Sequence, residues 1–414
     1  MKIGLLTFLD VANFGANLQL LSTYFFLKNH GYDVIVLNYK SYKVEAEERL
    51  SLLKRNLMHQ EMPLQRKMHH DFIFEMIENC SPVLHSSKSV ARYIIDNHFD
   101  GVIIGSDAVV QHWPLFSTLK LGKHRPFWIE PLQRERRFPN PFWGVGYAEH
   151  IPTVMMSVSS QNSKYQLYNS HTLKRMSTRL NQMKYISVRD EWTRAMMKII
   201  DNTLKIDLTP DPVFALNQNM QNHIPCEDFI RAKFNLPKHY VLVGLRSQVF
   251  SMNQLKEMDE RFNRQNMRCV AFVIDGSYNY SHPFSYEIPL PITPLEWFAI
   301  IKYASAYIGS NMHPIVSSLA NAVPCYSIDN WGIENFWGEK NEQQSSSKVY
   351  DVLEQYGLTG NWTQINNGKC HATIIDIVSK INSFPTDFVR KTSTKRLSIY
   401  NNMMQQIQES FGSY

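Results

Sequence analysis

Cysteine is scarce in this chain, and its few occurrences are scattered. The 414 residues include five cysteines, and no two of them stand at the short spacings of zinc ligands or redox motifs. We therefore expect reduced thiols, as in a cytosol-like compartment, and no metal centre. The cysteines are Cys80, Cys226, Cys269, Cys325 and Cys370.

Long apolar runs are absent as well. No run approaches the about 18 residues that a membrane-spanning helix needs. The chain begins "MKIGLLTFLD" and enters a strand-like segment at once, so we expect no signal peptide. These absences favour a cytoplasmic protein, with at most a peripheral association at the inner face of a membrane.

A strong excess of charge is also missing. The 43 lysine and arginine residues stand against 37 aspartate and glutamate residues, which leaves a formal net charge of +6. This excess is too mild to indicate a nucleic-acid partner. It suits anionic small substrates or an anionic membrane surface.

What the sequence does contain is a repeated alternation of strand-like and helix-like segments, typical of parallel α/β architecture. Its length exceeds the about 250–300 residues that one hydrophobic core serves, so two domains are expected. We predict two doubly wound, Rossmann-like domains that face a cleft. Their bounds are 1–190 for the N-terminal domain, 191–385 for the C-terminal domain and 386–414 for a helical tail at the surface.

Short apolar runs predict the strands of both sheets. Helices are expected between them, including Pro294–Tyr303, which Thr293 can cap with Glu296 as its capping-box partner. The predicted strands are Lys2–Thr7, Asp33–Asn38, Gly101–Gly105, Thr153–Val158, Tyr185–Val188, Tyr240–Leu245, Cys269–Ile274, Ala306–Ile308 and Pro324–Ile328.

Candidate site residues follow from a rule of such sheets, which bind ligands beyond the carboxyl ends of their strands. The rule selects four turns: Asn13–Gln19, Gly105–Asp107, the turn at Arg189 and the turn at His313. We expect the first two to face one substrate, an acceptor, through Asn13, Asn17, Gln19 and Asp107. Amide side chains bind hydroxyl groups well. The turn is not a GxGxxG motif, so no dinucleotide cofactor is indicated.

His313 stands where a strand gives way to a helix, in "IGSNMHPIV". The N-terminus of a helix attracts anions, and Pro314 is tolerated in its first turn. The turn can therefore present an imidazole beside an anion, together with Ser310 and Asn311. The alternative is that His313 only caps and packs.

Three basic residues could hold an anion at this side of the cleft. Arg189 and Arg246 each follow a predicted strand, where a guanidinium can grip a carboxylate or phosphate. Lys348 follows three serines at a predicted helix start. The alternatives are a surface salt bridge for each arginine and a plain helix cap at Lys348.

Five segments together resemble the polysaccharide pyruvyl transferase family. They come in the family's order and extend over most of the chain. The segments are "KIGLLTFLDVANFGANLQL" with "GYDVIVLNY", "GVIIGSDAV", "ISVRDEWTRAMM" with "DPVFAL", "TPLEWFAIIKYASAYIGSNMHPIVSSLANAVPCYSI" and "VYDVLEQYGL".

The resemblance implies a fold like the two-domain glycosyltransferase-B type. It implies transfer of a pyruvyl group from phosphoenolpyruvate, the donor, to two hydroxyls of a sugar, which forms a cyclic ketal. The sugar would belong to a lipid-linked oligosaccharide used in making a capsule or other exopolysaccharide. His313 would be the acid/base residue and Arg189 a donor contact, with no cofactor.

Two other functions remain open from the sequence. One is a nucleotide-sugar glycosyltransferase of the same fold, in which Asp329 or Glu334 would bind the ribose hydroxyls. The other is a sugar-binding protein without catalysis. A stretch rich in tryptophan, residues 111–150, also interrupts the α/β rhythm, and we expect at least one of its tryptophans to stack on the acceptor sugar or its carrier lipid. The alternative is that all three pack into the core of the N-terminal domain. They are Trp113, Trp128 and Trp143.

Overall fold

Two parallel sheets of six strands each form the framework of the computed structural model. The structure describes residues 1–46, 61–114, 119–122, 125–129, 137–161, 163–274, 276–332, 346–366 and 368–412. The strands are β1 (Lys2–Leu6), β2 (Asp33–Val36), β3 (Gly101–Asp107), β4 (Leu119–Gly122), β5 (Arg125–Ile129), β6 (Thr153–Val158), β7 (Tyr185–Val188), β8 (Asp207–Leu208), β9 (Tyr240–Gly244), β10 (Arg268–Ala271), β11 (Tyr286–Glu287), β12 (Ala306–Gly309), β13 (Cys325–Asp329) and β14 (Trp362–Gln364).

The strand order is β2-β1-β3-β6-β7-β8 in the first sheet and β11-β10-β9-β12-β13-β14 in the second. The first strand of each sheet, β1 or β9, lies in its interior with later strands on both sides, and every pairing is parallel. Strands β4 and β5 pair with each other in an antiparallel hairpin. The prediction of two doubly wound domains is therefore confirmed.

Helices cover both faces of each sheet, so central strands such as β9 and β13 are buried along their whole length and show no polar alternation. Thr293 and Glu296 form the predicted capping box. The helices are α1 (Phe14–Asn29), α2 (Glu61–Met76), α3 (Ser87–Asp96), α4 (Ser170–Leu180), α5 (Glu191–Ile200), α6 (Leu216–Asn219), α7 (Glu227–Phe234), α8 (Met252–Asn263), α9 (Pro294–Lys302), α10 (Met312–Ala320), α11 (Lys348–Glu354), α12 (Ile374–Asn382) and α13 (Thr386–Ser410).

The last helix, α13, ties the two halves together. It packs on strands β6 and β7 of the first sheet and on α10 of the second half. Tyr400, Met403 and Met404 are buried in a core cluster that includes residues of both sheets. The helix expected at the surface thus buries an apolar face. The first sheet also continues to β8, past the expected domain bound at residue 190.

The carboxyl ends of the two sheets face each other. Helices α1 and α10, which follow β1 and β12, contact each other where the two halves meet. Both halves therefore direct their ligand-binding edges toward one cleft. No helix within the described ranges is both long and apolar enough to cross a membrane.

Candidate active site

A cleft of ≈ 270 Å³ lies between the two sheets. The turns after β1 and β3 form one wall, and the turns after β9, β12 and β13 form the other. Six of the residues selected from the sequence line this cleft: Asn13, Asp107, Arg246, Asn311, His313 and Lys348.

The other four selected residues lie behind the walls. Asn17 is buried and its amide contacts the Val11 carbonyl and the ring of His69. Gln19 is buried and donates to Asp211, and Ser310 is only 1% exposed. Arg189 is also buried, between two carboxylates. The structure thus brings the four predicted loops together, but the side chains of these four residues face the interior and not the cleft.

Two helix N-termini meet at the cleft. Asn13 caps α1 by accepting a hydrogen bond from the Ala16 amide at 3.0 Å, and Asn311 precedes the first turn of α10. Both helices direct the positive ends of their dipoles, with free backbone N–H groups, toward the cleft. This arrangement favours an anionic ligand.

Two residues of the cleft walls have an unusual backbone conformation. Asn311 has φ of 74° and Asp107 has φ of 92°, values that residues other than glycine seldom adopt. Asp107 is the last residue of β3 and Asn311 immediately precedes α10, and both line the cleft. Strain of this kind persists where the surrounding structure fixes the geometry of a functional site.

His313 occupies the floor of the cleft, in the first turn of α10. Its ring packs directly on Gly15, where an added Cβ would lie only 1.9 Å from the His313 Nδ1 atom. The Nε2 atom lies 3.8 Å from the Asp211 carboxylate and has no hydrogen-bond partner among the residues that the structure describes. Burial lowers the pKa of His313 to about 4, so the imidazole is neutral near pH 7.

A buried network of three charges lies beneath His313. The Arg189 guanidinium contacts Asp211 at 2.9 Å and Asp107 at 3.3 Å. Burial opposes ionisation of Asp107, but the charges of Arg189 and Lys348 and the hydrogen bond from the Ala108 amide together hold the pKa of this carboxyl below its ordinary value. The guanidinium therefore holds both carboxylates in place under the cleft.

The opposite wall carries two cations over one aromatic ring. The Arg246 guanidinium lies 5.1 Å and the Lys348 ammonium 4.5 Å from the centre of the Trp331 ring. Burial, with the nearby Arg189 charge, lowers the pKa of Lys348 to about 8. Lys348 still carries its proton near pH 7, so this wall is positively charged where it meets the two helix N-termini.

Asp351 anchors the helix that carries Lys348. It accepts hydrogen bonds from the Glu191 amide at 3.1 Å and from Gln355 at 2.6 Å. Burial and the adjacent Asp190 raise the pKa of Asp351 to about 7. The fold therefore favours the protonated carboxyl, and this contribution to stability disappears as the pH rises through about 7.

We expect Asp351→Asn, which cannot ionise, to stabilise the protein increasingly as the pH rises. The free energy of unfolding of the variant, relative to that of the natural chain, should grow by about 1–3 kcal/mol between about pH 5 and about pH 8. Urea unfolding at several pH values measures it. Asp228→Asn, at an exposed carboxylate, serves as the control. A gain that stays constant with pH would contradict the assignment.

Asp329 is not available for a nucleotide ribose. It is fully buried, and its carboxylate accepts hydrogen bonds from the Trp331 amide, the Trp362 indole and Ser347. Glu334, the other carboxylate considered, lies outside the described residues. Within those residues, no group of three or more histidine, cysteine, aspartate or glutamate side chains is arranged to hold a metal ion.

Two of the three tryptophans expected at the acceptor, Trp113 and Trp143, do not line the cleft. Trp143 is fully buried and packs edge-on against Phe138 in the N-terminal domain. Trp113 is partly buried and does not line the cleft. Trp128 belongs to β5, whose side chains lie outside the described part of the structure.

Sequence reasoning missed several residues of this site. Asp211 begins the segment "DPVFAL", and nothing in this local pattern indicates that its carboxylate lies near His313. Trp331, which lies under two cations, has no neighbouring motif. Gly15 was recognised as part of a turn, but its contact with His313 joins residues almost three hundred positions apart.

The contact between Gly15 and His313 allows a sharp test. We expect Gly15→Ala to displace the imidazole, to lower turnover at least tenfold and to destabilise the fold by about 1–3 kcal/mol, the usual cost of overpacking. Turnover and chemical unfolding are the measurements. Gly360→Ala is the matched control, because its added Cβ would meet only the mobile end of Lys380 at 3.1 Å. Normal turnover in Gly15→Ala would contradict the close packing.

Comparison with solved structures shows the same fold. The UDP-GlcNAc 2-epimerase of Neisseria meningitidis, bound to UDP-GlcNAc, is 9% identical, with a TM-score of 0.52 over 99% of this chain and all of that one. The spinosyn forosaminyltransferase SpnP is 10% identical, with a TM-score of 0.50 over the full length of both chains. The two Rossmann-like domains are thus arranged as in the glycosyltransferase-B fold. At these identities the likeness concerns the fold alone.

No curated protein matches the sequence significantly. A family model does match, over residues 13–332. This range begins at Asn13, the cap of α1, and ends one residue after Trp331, so it takes in five of the six predicted residues that line the cleft. With its arrangement of helix ends, cations and histidine, the chain belongs to the polysaccharide pyruvyl transferase family, a family of enzymes.

Proposed function

We propose that the protein transfers a pyruvyl group from phosphoenolpyruvate to two hydroxyls of a sugar and forms a cyclic ketal. One observation carries the proposal. The cleft joins two helix N-termini and two cations around a neutral histidine. That combination suits a small, highly charged anion that must also receive a proton.

Phosphoenolpyruvate carries a phosphate and a carboxylate on one small carbon skeleton. The N–H groups at the starts of α1 and α10 suit one anionic group, and Arg246 with Lys348 suits the other. Asn311 accepts a hydrogen bond from Arg246 at 3.4 Å and so helps to aim the guanidinium. Arg189 lies beneath the cleft and favours donor binding indirectly, because its charge offsets part of the negative charge of Asp107 and Asp211.

The donor itself would activate His313. A phosphate held near the imidazole favours the imidazolium, so the pKa of His313 rises above its value of about 4 in the free protein. The imidazolium can then give its proton to the methylene carbon of the enol, as a general acid. Asp211, 3.8 Å from Nε2, stabilises the charged ring.

The remaining steps follow from the chemistry of the ketal. Protonation of the methylene carbon leaves an oxocarbenium-like centre, to which the first sugar hydroxyl adds with loss of its proton. The second hydroxyl then attacks the same carbon as the bond to the phosphate oxygen breaks. Phosphate leaves, the second hydroxyl loses its proton, and the carbon ends with a methyl group, a carboxylate and two sugar oxygens.

The acceptor would be a sugar of a lipid-linked oligosaccharide, at a stage of capsule or exopolysaccharide assembly inside the cell. The net charge of +6 is compatible with a peripheral association with an anionic membrane face. Incubation of the protein with phosphoenolpyruvate and lipid-linked oligosaccharides, followed by mass spectrometry, tests the reaction. The expected product carries the added ketal, and one phosphate is released for each ketal formed.

Donor binding has its own test. We expect Arg246→Ala and Lys348→Met each to weaken phosphoenolpyruvate binding by about 1.5–3 kcal/mol, the range for a hydrogen bond to a charged group. Calorimetric titration measures the affinity. Arg268→Ala is the control, because Arg268 is exposed at the amino end of β10 and does not line the cleft. Unchanged affinity in both cleft variants would place the donor elsewhere.

A further inference from the structure

The two walls of the cleft differ in charge. The wall from the C-terminal domain carries Arg246 and Lys348, whereas Asp107 is the only charged residue among the described lining residues of the N-terminal domain. Asp107 is already paired with Arg189. An anionic donor therefore belongs on the C-terminal wall and at the start of α1, which contacts α10, and the rest of the N-terminal wall is left for a partner without charge.

Two glutamines on the N-terminal wall form a pair. The Gln111 amide nitrogen donates to the Gln161 carbonyl oxygen, and within the described residues this is the one side-chain hydrogen bond of either residue. Gln111 is buried except for its edge on the cleft, and the Gln161 backbone is held by a hydrogen bond to the Ser159 hydroxyl at 3.0 Å. The pair is therefore fixed in position.

The pair presents one donor group and one acceptor group to the cleft. The Gln161 amide nitrogen and the Gln111 carbonyl oxygen remain for a ligand. If both amides are turned over, the two residues exchange roles, but again one donor and one acceptor remain. Such a pair is complementary to neighbouring sugar hydroxyls, each of which both donates and accepts.

An aromatic surface lies on the same wall. Phe8 lines the cleft and is partly exposed, and its ring is held edge-on by Phe142 at 5.7 Å between centroids. The C–H face of a sugar ring is apolar and can cover such a ring. The amides can bind the hydroxyls of a neutral sugar, and the neighbouring aromatic ring can pack on its C–H face.

We infer that Gln111, Gln161 and Phe8 form the subsite for the acceptor and that the sugar bound there is neutral rather than a uronic acid. The inference rests on the proposed function for the identity of the donor, but not for the binding of the sugar. The glutamine pair holds the sugar opposite Arg246 and Lys348, so that its two free hydroxyls face a donor on the far wall.

Binding of simple glycosides tests the subsite without turnover. Methyl glycosides of glucose, galactose, mannose and glucuronic acid are presented to the full chain without phosphoenolpyruvate, and saturation-transfer NMR reports contact. We expect at least one neutral glycoside to bind in preference to the glucuronide. Preference for the glucuronide, or no binding of any neutral glycoside, overturns the inference.

Variants of the pair locate the binding. Gln161→Met and Gln111→Met keep the size of the side chain but remove its polar amide atoms. Each should lower the affinity for the glycoside about tenfold or more, as expected for the loss of a hydrogen bond of about 1.4 kcal/mol. Gln166→Met, at an exposed glutamine of the same domain, is the matched control. Far-ultraviolet circular dichroism and the melting temperature establish that each variant is folded.

The donor distinguishes this inference from the proposed function. Calorimetry should give both methionine variants the same phosphoenolpyruvate affinity as the natural chain, because the pair lies on the opposite wall. Glycoside binding lost in both variants with donor affinity kept supports the subsite. Failure of the natural chain to bind phosphoenolpyruvate refutes the proposed donor alone. Glycoside binding that is unchanged in both variants refutes the subsite alone.

Discussion

His313→Ala should lower turnover by about 10²–10⁴-fold, the usual contribution of a positioned general acid or base. The affinity for phosphoenolpyruvate should change little, because the N–H groups of α1 and α10 and the cations Arg246 and Lys348 remain. Stopped or continuous assay of phosphate release gives turnover, and calorimetry gives donor affinity. A large loss of affinity with normal turnover at saturation would show that His313 binds the donor and transfers no proton.

His313→Gln separates proton transfer from packing. Glutamine fills much of the space beside Gly15 and keeps a hydrogen-bond donor, but it cannot titrate. We expect turnover as low as in the alanine variant. In the natural enzyme, turnover should fall as the pH rises through the pKa of His313 in the donor complex, because the acid form is then lost. That limb of the pH profile should be absent from the glutamine variant, and near-normal turnover there would mean that the proton comes from another group.

The histidine also affects the stability of the free protein. Its pKa of about 4 in the fold lies below its ordinary value of 6.5, and burial lowers the pKa of His69 and His112 to about 4 as well. The unfolded chain takes up these protons first, so the free protein loses stability as the pH falls from about 6.5 to about 4. A bound anion that raises the pKa of His313 removes its share of this loss.

The framework of the protein could be predicted because its signals are local. Central strands of a parallel sheet are continuous apolar runs, and the predicted β6 and β7 have the same bounds in the structure. The edge strands β8 and β11 were missed, since two residues each form them and neither run is apolar. The tail helix was expected at the surface because its polar residues outnumber the spaced apolar ones that it buries.

The site could be predicted only in part, for a physical reason. The rule that ligands lie beyond strand ends selects turns, and all four turns do meet. The rule does not say which way a side chain faces. Gln19 and Arg189 turn toward Asp211, which offers them a buried carboxylate, whereas Asn13 caps its helix and stays on the wall. Such partners lie far apart in the sequence and are chosen by the assembled fold.

Arg189→Met should have the largest effect on stability. Arg189 is 3% exposed in its side chain and separates Asp107 from Asp211, which are 14% and 3% exposed. Its removal leaves two buried carboxylates without a counter-charge, and breaking a buried pair in this way costs about 3–5 kcal/mol. Chemical unfolding near pH 7 measures the loss. Arg194→Met is the control, because Arg194 is exposed and pairs with Glu191 at the surface.

The same variant should respond to pH in a characteristic direction. Without Arg189, burial raises the pKa of Asp107, so the variant is favoured in acid and loses stability as the pH rises. Its deficit relative to the natural chain should therefore shrink toward about pH 5. Asp211→Asn removes one of the two charges, and Arg189→Met should cost less in that background than in the natural one. Equal costs in both backgrounds would mean that the ion pair with Asp211 contributes nothing.

Arg189 should also affect the affinity for the donor, although only indirectly. The guanidinium does not line the cleft, and its charge acts on the donor by offsetting part of the negative charge of two carboxylates beneath it. In folded Arg189→Met, those carboxylates would repel phosphoenolpyruvate, and its affinity should fall about tenfold or more, an effect that salt reduces. Lysine at this position restores charge but cannot bridge both carboxylates, so Arg189→Lys should recover donor affinity better than it recovers stability. The reverse order of recovery would instead indicate that Arg189 contacts the donor directly with its two-pronged guanidinium.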